Sequence, residues 1–254
     1  GERTVYREIK KLQPGHVLEL TDTGPRLSRY WEPRYDVHPK SIDNALEELD
    51  ALLSDAVRLR MRADVPVGAF LSGGVDSALI VSYMRDHSDD VRTFTIGFDD
   101  AGYDETADAA RVAEQFGTRH TVDSLNRAAL TDLKHVVSAF GEPFADASSL
   151  PTWYVSREAR RHVTVALSGD GGDESFGGYD FRYVPHAMEQ VVRALLPFRP
   201  VRRAVGALGS VWPRGKRVPR LLRLSTYLQN VAVDPATAYF ADLCFLDLKA
   251  TRQL

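Results

Sequence analysis

Two serines, two glycines and an aspartate follow an apolar segment near residue 70, and these residue types at this spacing can hold a phosphate group. Residues 67–77 read Val-Gly-Ala-Phe-Leu-Ser-Gly-Gly-Val-Asp-Ser, which indicates a buried strand, a turn and the start of a helix. Gly73 and Gly74 have no Cβ, so the backbone can approach a ligand closely, and the amides that open a helix favour an anion. Asp76 would repel phosphate unless a divalent cation lay between them. The segment therefore predicts a magnesium nucleotide site rather than a plain helix cap, without the lysine of a Gly-x-x-x-x-Gly-Lys-Ser/Thr loop.

A second glycine-rich turn, also acidic, follows another apolar segment. Residues 163–167 read Val-Thr-Val-Ala-Leu, and residues 168–178 contain five glycines together with Asp170 and Asp173. If both apolar segments are parallel strands, the two turns lie side by side at one edge of a sheet, and Asp76, Asp170 and Asp173 come together. Carboxylates crowded in this way require a metal ion. A solvated acidic turn is the alternative, but such a turn needs only one or two glycines.

The pattern of apolar residues predicts the elements that position these turns. From residue 41 onward, helix-like stretches alternate with short apolar strands. This alternation is typical of an α/β fold with a doubly wound parallel sheet and helices on both faces. Residues 4–33 alternate apolar and polar side chains around turn residues, which predicts short antiparallel β-strands ahead of that fold. The predicted strands are 67–71, 92–98, 118–122 and 163–167, and the predicted helices are 41–61, 77–86, 104–116, 126–139 and 151–161.

Composition and charge exclude several classes of protein. The chain has 254 residues, 44% of them hydrophobic, which suits one large core, or one core plus a small appendage. A single cysteine, Cys244, excludes an intramolecular disulfide framework and a cysteine-based metal cluster. The net charge of −3 gives no global electrostatic reason to expect nucleic acid or a membrane as a partner. Because no signal-peptide pattern and no apolar run of about 20 residues is present, we expect a cytoplasmic protein.

A basic stretch and one histidine are weaker candidates for function. Residues 190–233 contain nine basic side chains and no acidic one. Such a stretch could bind tRNA, phospholipid or a partner, but few stacking aromatics accompany it, so we favour a lid-like helical region that faces phosphates or pairs with acidic surface. We interpret His120, at the end of a predicted strand, as a packed or rim residue rather than a catalytic base. The nine basic residues are Arg193, Arg199, Arg202, Arg203, Arg214, Lys216, Arg217, Arg220 and Arg223.

Four separated motifs make the chain resemble the synthetase domain of the asparagine synthetases that use glutamine. These motifs are residues 71–77, 103–106, 142–151 and 167–179, in the order and separation of that family. The first is shared with other ATP pyrophosphatases, whereas Leu-Ser-Gly-Asp-Gly-Gly-Asp-Glu followed by Gly-Gly-Tyr is far more selective. The resemblance implies that residues 1–33 are the C-terminal remnant of a glutaminase domain. It also implies that residues 34–254 are a synthetase domain truncated at its C-terminus.

The resemblance implies roles for individual residues. Leu71 and Ile96 would flank the adenine of ATP, and Asp76 and Asp173 would share a magnesium ion. Asp170 stands where similar enzymes place an acidic residue tied to forming a β-aspartyl-AMP intermediate. The residues that would hold pyrophosphate or contact ATP are Ser72, Gly73, Gly74, Asp76, Ser77, Ser168 and Gly169.

The implied reaction is amide synthesis with ATP and Mg²⁺ as cofactors. ATP would adenylate the side-chain carboxylate of L-aspartate and release pyrophosphate, and ammonia from glutamine, supplied by the missing N-terminal domain, would then give asparagine. Loop amides and magnesium would stabilise charge on pyrophosphate, and no protein nucleophile is required. Asp104 would be a further acid in the pocket, although the interpretation that it caps the N-terminus of a helix is nearly as good.

Two alternative functions stay open. An adenylating relative could act on another carboxylate, as in β-lactam synthetases, peptide cyclases or amidotransferases of cell-envelope polysaccharide pathways. The surroundings of Asp146, Ser149 and Asp170 would discriminate these acceptors. The chain could also be a nucleotide-binding module without turnover. The sequence leaves open whether the protein forms a homodimer. We expect neither nucleic acid nor a membrane as a partner.

Overall fold

The computed structural model divides the chain into two compact units, residues 1–170 and residues 171–254. It describes residues 2–34, 40–100, 102, 104–125, 131–142, 144, 146–213, 219 and 224–243. Several residues singled out in the sequence lie outside that set, so their predicted roles stay predictions. They are Tyr103, Pro143, Ala145, Arg214, Lys216, Arg217, Arg220, Arg223 and Cys244.

The N-terminal segment forms an antiparallel hairpin, as its alternating pattern predicted. Strand β1 (His16–Thr21) pairs with strand β2 (Gly24–Arg29), with Thr21 opposite Gly24 at the turn. Large apolar side chains of this hairpin are exposed, including Leu20 and Leu27. A two-stranded sheet of this kind has little stability by itself. That residues 1–33 belong to a different domain from residues 34–254 stays a prediction.

In the described residues of the first unit, four parallel strands form the central sheet. They are β3 (Val67–Phe70), β4 (Arg92–Phe98), β5 (Arg119–Leu125) and β6 (Val165–Leu167), in the spatial order β5-β4-β3-β6. The chain runs outward from β3 to β4 and β5 and then returns to the other side of β3, so the direction of winding reverses between β3 and β6. This topology confirms the predicted doubly wound α/β fold. The reversal between β3 and β6 is the position at which such folds bind ligands.

Helices cover both faces of the sheet, because strand side chains alternate between the faces. On one face, Ala69 and Leu71 join a core with helices α1 (Ile42–Arg60), α2 (Val75–His87) and α3 (Thr106–Phe116). Two further helices are α4 (Leu133–Phe140) and α5 (Ser149–Ala159). Phe94 packs against α5 on the opposite face of the sheet.

Most element boundaries agree with the sequence-based ones to within a few residues. Helix α1 begins close to the predicted start at residue 41, where Ser41 caps it by accepting a hydrogen bond from the Asn44 backbone amide at 3.2 Å. Strand β5 extends beyond the predicted end at residue 122 because it pairs with β4 as far as Leu125. Strand β6 is shorter than predicted, since its pairing with β3 covers three residues. The start of the predicted helix 126–139 lies outside the described residues.

The second unit is helical in its described part. Its helices are α6 (Gly172–Phe176), α7 (Asp180–Leu195), α8 (Arg199–Val211), α9 (Ser225–Ala232) and α10 (Pro235–Leu243). Helices α8 and α9 approach closely because Gly209 has no side chain, and a Cβ there would lie 2.8 Å from the Cβ of Leu228. Across the described residues of both units, no helix combines the length and the apolar character needed to cross a membrane.

A buried ion pair organises the second unit and accounts for one residue of the basic stretch. Arg193 and Glu189, on α7, are 6% and 1% exposed. The side-chain amide of Asn230 donates to the Glu189 carboxylate at 3.0 Å, and the Arg193 guanidinium donates to the backbone carbonyl of Asn230 at 2.6 Å. Burial raises the pKa of Glu189. Arg193 is therefore a core residue of the helical unit rather than a free surface cation, whereas Arg199, Arg202 and Arg203 lie on α8.

Candidate functional site

The first glycine turn joins β3 to α2 and is closed by one hydroxyl group. Ser77, which is buried, accepts the Ser72 amide at 3.1 Å through its Oγ, and the two serine Oγ atoms are 2.9 Å apart. The Gly74 amide donates to the Ser72 Oγ at 3.2 Å. Asp76 lies in the first turn of α2, where the helix dipole favours a negative charge. The sequence-predicted residues Ser72, Gly73, Gly74, Asp76 and Ser77 thus form one compact strand-turn-helix unit.

The start of the second glycine turn, at Gly169, packs directly against the first turn. Strand β6 pairs with β3, with Leu167 opposite Ala69. A Cβ on Gly169 would lie 2.6 Å from the Ser77 amide nitrogen and 2.8 Å from the carbonyl carbon of Asp76. The expectation that the two turns lie side by side is therefore met for Ser168 and Gly169. Only glycine permits this approach, because an added Cβ would meet backbone atoms and the Cβ of Asp76, none of which can rotate away.

Asp170 follows Gly169 and is held by its own turn. The Ser168 hydroxyl donates to the Asp170 carboxylate at 2.9 Å, and the Asp170 amide donates to the Ser168 Oγ at 3.4 Å. This places an exposed carboxylate directly after the residue that contacts the start of α2. The assignment of Asp170 to formation of an acyl-adenylate stays a prediction.

Asp173 lies in the second unit, at the second position of α6. The Asp173 carboxylate packs against Gly178. A Cβ added at Gly178 would lie 1.9 Å from the Asp173 Oδ1. The Tyr179 hydroxyl donates to Glu174 at 2.8 Å, and this hydrogen bond raises the pKa of Tyr179 to about 12. The Gly-Gly-Tyr motif thus contacts the two acidic residues of α6, Asp173 and Glu174. That Asp173 shares a metal ion with Asp76 stays a prediction.

The two residues expected to flank adenine point to opposite faces of the sheet. Leu71 packs in the core with α2 and α3, its amide donates to the Phe94 carbonyl at 2.9 Å, and its carbonyl accepts the Thr95 hydroxyl at 2.5 Å. Ile96 packs on the other face with Leu125. The side chain and both main-chain polar groups of Leu71 are thus engaged within the protein. The adenine contacts of these residues stay a prediction.

Asp104 lies one residue before Glu105, the N-cap residue of α3, so it is not itself the capping residue that the sequence offered as an alternative. Its carboxylate accepts the Thr106 hydroxyl at 2.9 Å and the Phe98 amide at 3.3 Å. The hydrogen bond from Thr106 is the main cause that lowers the pKa of Asp104. An exposed carboxylate held ionised in this way supports the start of α3. Its role as a further acid stays a prediction.

The motif around residue 146 forms a similar turn ahead of α5. The Asp146 carboxylate accepts the Ser148 amide at 2.9 Å and the Ser148 hydroxyl at 2.8 Å, and these bonds lower the pKa of Asp146. The Ser149 hydroxyl donates to the Asp146 carbonyl at 2.6 Å. The polar atoms expected to select a substrate are therefore engaged with one another in this structure.

Two acidic residues at the start of α3 adjoin the first turn and received no role from the sequence. The Gly73 amide donates to the Glu105 carboxylate at 3.2 Å. A Cβ on Gly73 would lie 2.6 Å from the Cβ of Asp108. The absence of a side chain at Gly73 therefore permits the close approach of α3. The sequence signal for Glu105 is the Asp-Glu-Thr segment at residues 104–106, which belongs to the second of the four motifs.

The donor set fits a magnesium ion that arrives with a nucleotide. Among the described residues, no group of three or more His, Cys, Asp or Glu side chains forms a metal site by itself. Magnesium in nucleotide enzymes is commonly held by one or two carboxylates together with substrate phosphates. Asp76, beside the loop amides, can supply such a carboxylate.

Two cavities of the first unit lie away from the glycine turns. One of about 560 Å³ is lined by Arg29, Tyr30, Trp31, Glu32 and Arg34. The other, of about 480 Å³, lies beside α5 and β6 and is lined in part by Phe70, Trp153 and Arg157. Neither of these two cavities is lined by a residue of the two turns.

His120 is packed within the sheet at the amino end of β5, as the sequence reading favoured. Its Nδ1 lies 2.9 Å from the Thr93 Oγ1, and its buried Nε2 has no hydrogen-bond partner among the described residues. Burial lowers the pKa of His120 below the ordinary value of 6.5. The imidazole is therefore a neutral structural group, remote from the carboxyl edge of the sheet.

The buried imidazole predicts a dependence of stability on pH. When the pH falls below about 6.5, the unfolded chain takes up a proton at His120 before the folded chain does. Stability is thus retained above that pH and declines below it, until the pH passes the lower folded pKa. The urea unfolding midpoint is measured at about pH 7.5 and at about pH 5.5. Its fall between the two pH values should be smaller for His120→Asn than for the unsubstituted protein. An equal fall in both proteins would contradict this role.

Comparison with known proteins gives three groups of findings. The asparagine synthase family model matches residues 48–252. A putative glutamine-hydrolysing asparagine synthetase of Mycobacterium tuberculosis is 37% identical over 225 residues, covering 86% of this chain and 34% of that protein. Asparagine synthetase [glutamine-hydrolyzing] 1 of Bacillus subtilis is 33% identical, covering 89% of this chain and 36% of that protein. The chain thus spans about a third of the length of these curated relatives.

Solved structures give a weaker likeness. The NMN synthetase of Francisella tularensis aligns with a TM-score of 0.38 and 21% identity, over 56% of this chain and 59% of that one. An NH3-dependent NAD synthetase of Campylobacter jejuni aligns with a TM-score of 0.37 and 14% identity, over 52% of this chain and 60% of that one.

Proposed function

Because the chain belongs to the asparagine synthase family of ATP-dependent amide ligases, we propose that its two glycine turns bind MgATP and activate the side-chain carboxylate of L-aspartate. The observation that carries the proposal is the contact of Gly169 with the backbone of Asp76 and Ser77. It brings a helix N-terminus and two serine-glycine turns to the reversal point of the sheet. A phosphate chain held there meets amide donors from one turn and polar groups from the other.

The chemistry follows from what a carboxylate lacks. A carboxylate resists attack by ammonia because it is negatively charged and carries no good leaving group. A carboxylate oxygen attacks the α phosphorus of ATP, and pyrophosphate leaves. The resulting acyl-adenylate no longer carries the carboxylate charge, and it has AMP as a good leaving group. Negative charge then grows on pyrophosphate, where the N-terminal amides of α2 stabilise it electrostatically. Magnesium, when bound, would neutralise part of that charge, and Asp76 is the residue we propose to hold it.

The remaining site residues position the reacting groups. Ser72 and Ser77 keep the first turn closed through their shared hydrogen bonds, so that its amides keep their direction. Ser168 holds Asp170 at 2.9 Å, which orients this carboxylate before substrates bind. We propose that Asp170 takes part in forming the acyl-adenylate. Ammonia derived from glutamine then attacks the acyl-adenylate and releases AMP, which gives asparagine.

Release of pyrophosphate tests the proposal. In the full-length protein, release from ATP should depend on both L-aspartate and Mg²⁺, because the turns assemble the leaving group and aspartate supplies the attacking oxygen. A panel of other amino acids and amino sugars provides the comparison. Stronger activation by one of them would replace aspartate as the substrate. Absence of pyrophosphate release and of nucleotide binding would reject the site itself.

A further inference from the structure

The backbone amide expected to bind phosphate already has an anionic partner. Three successive amides of the first turn are hydrogen-bonded within the protein. Ser72 and Gly74 donate to serine hydroxyls, whereas Gly73 donates to the Glu105 carboxylate at 3.2 Å. A carboxylate oxygen and a phosphate oxygen are equivalent acceptors for such a donor. Glu105 thus occupies a position that a nucleotide phosphate would take.

The surrounding contacts direct Glu105 toward the turn. Glu105 immediately precedes α3 and makes no side-chain capping bond to that helix. One helical turn later, the Cβ of Asp108 lies against the face of Gly73, and the Asp108 carboxylate pairs with Arg111. The close approach of α3 therefore presents Glu105 to the Gly73 amide, while Asp108 has a cationic partner of its own.

We propose that Glu105 is a phosphate surrogate that holds the first turn in shape without nucleotide and is displaced when ATP binds, so that it sets the affinity for nucleotide. The inference rests on the proposed function, in which this turn binds the phosphates of ATP. Two anions cannot share the Gly73 donor without strong repulsion, so the carboxylate has to leave. Glu105 is exposed, and its side chain can rotate into solvent. The apparent affinity for nucleotide is then the intrinsic affinity multiplied by the fraction of protein in which Glu105 has left the turn.

The proposal differs in a measurable way from a role of Glu105 as a magnesium ligand. A surrogate weakens every phosphate ligand, and it weakens metal-free ATP most, because that ligand carries the larger unscreened charge. A magnesium ligand would strengthen MgATP binding and leave metal-free ATP unaffected. Replacement by glutamine removes the charge and keeps the size of the side chain, so the two roles give opposite changes.

Nucleotide binding by the full-length protein provides the test. Titration calorimetry would measure the Kd for ATP in the presence of EDTA and for ATP with excess Mg²⁺. We expect Glu105→Gln to bind metal-free ATP roughly five-fold more tightly, with a smaller gain for MgATP. Glu114→Gln is the matched control, because Glu114 is exposed at the other end of α3, and it should leave both constants unchanged. Thermal unfolding would establish that both variants are folded.

Each outcome decides between the inference and the function on which it rests. Normal nucleotide binding by the unsubstituted protein with no gain in Glu105→Gln would overturn the inference and leave the proposed function intact. Weaker binding of MgATP alone by that variant would identify a metal ligand and would also overturn the inference. Binding by Glu105→Gln when the unsubstituted protein binds too weakly to measure would support both. Failure of both proteins to bind any nucleotide would reject both.

Discussion

Gly169→Ala is expected to destabilise the protein by about 1–3 kcal/mol and to lower the rate of pyrophosphate release roughly a hundred-fold. The added methyl would lie 2.6 to 2.9 Å from backbone and Cβ atoms of Asp76 and Ser77, which cannot rotate away. The two turns must therefore separate, and Ser168 and Asp170 move with Gly169. Urea unfolding and the pyrophosphate assay measure the two effects.

Gly74→Ala provides the comparison for stability. It makes the same chemical change in the other turn, where the new methyl would meet the Ser72 Oγ at 3.3 Å. That atom is the end of a small side chain, so we expect a loss of stability well below that of Gly169→Ala. If Gly169→Ala proved as stable and as active as the unsubstituted protein, the contact between the turns would not matter for function.

Asp76→Asn is expected to reduce pyrophosphate release by about a hundred- to a thousand-fold while leaving the fold intact. The amide has nearly the same volume as the carboxylate, so packing at the start of α2 is preserved. The lost charge removes the group that we propose holds the metal, and the Mg²⁺ concentration needed for half-maximal activity should rise. A small loss of stability, about 0.3–1 kcal/mol, follows from removing a negative charge at the N-terminus of α2.

The matched control for Asp76 lies on the same helix. Asp86→Asn makes the identical substitution at an exposed position near the C-terminal end of α2, away from the turns. Its activity and its Mg²⁺ dependence should equal those of the unsubstituted protein. Unchanged activity and Mg²⁺ dependence in Asp76→Asn would instead remove Asp76 from the site.

Residue types and spacing alone were sufficient for the class of fold and for the position of the turns. Apolar segments of five to seven residues alternate with helical patterns, and this periodicity depends only on which side chains must be buried. The two Ser-Gly turns follow such segments directly, so their place at the carboxyl ends of β3 and β6 required no knowledge of contacts. Family membership was likewise readable from motifs in order.

Partners of individual side chains could not be read from the sequence, because they join residues that are distant in the chain. Gly73 and Glu105 are 32 residues apart, and Thr95 meets the Leu71 carbonyl across 24 residues. Leu71 has the residue type expected beside an adenine, yet the alternation of β3 turns its side chain into the core with α2 and α3. Asp104 and Asp146 have the residue type of catalytic acids, yet both carboxylates accept hydrogen bonds from their own turns.

The sequence by itself determined the doubly wound fold, the family and the two glycine turns, because local periodicity and turn chemistry are properties of neighbouring residues. The tertiary structure decided that Gly169 lies against the start of α2, that α3 places Glu105 on the Gly73 amide, and that Arg193 is buried beside Glu189. These outcomes depend on strand order and on close packing between elements, which bring together atoms that the linear pattern leaves apart.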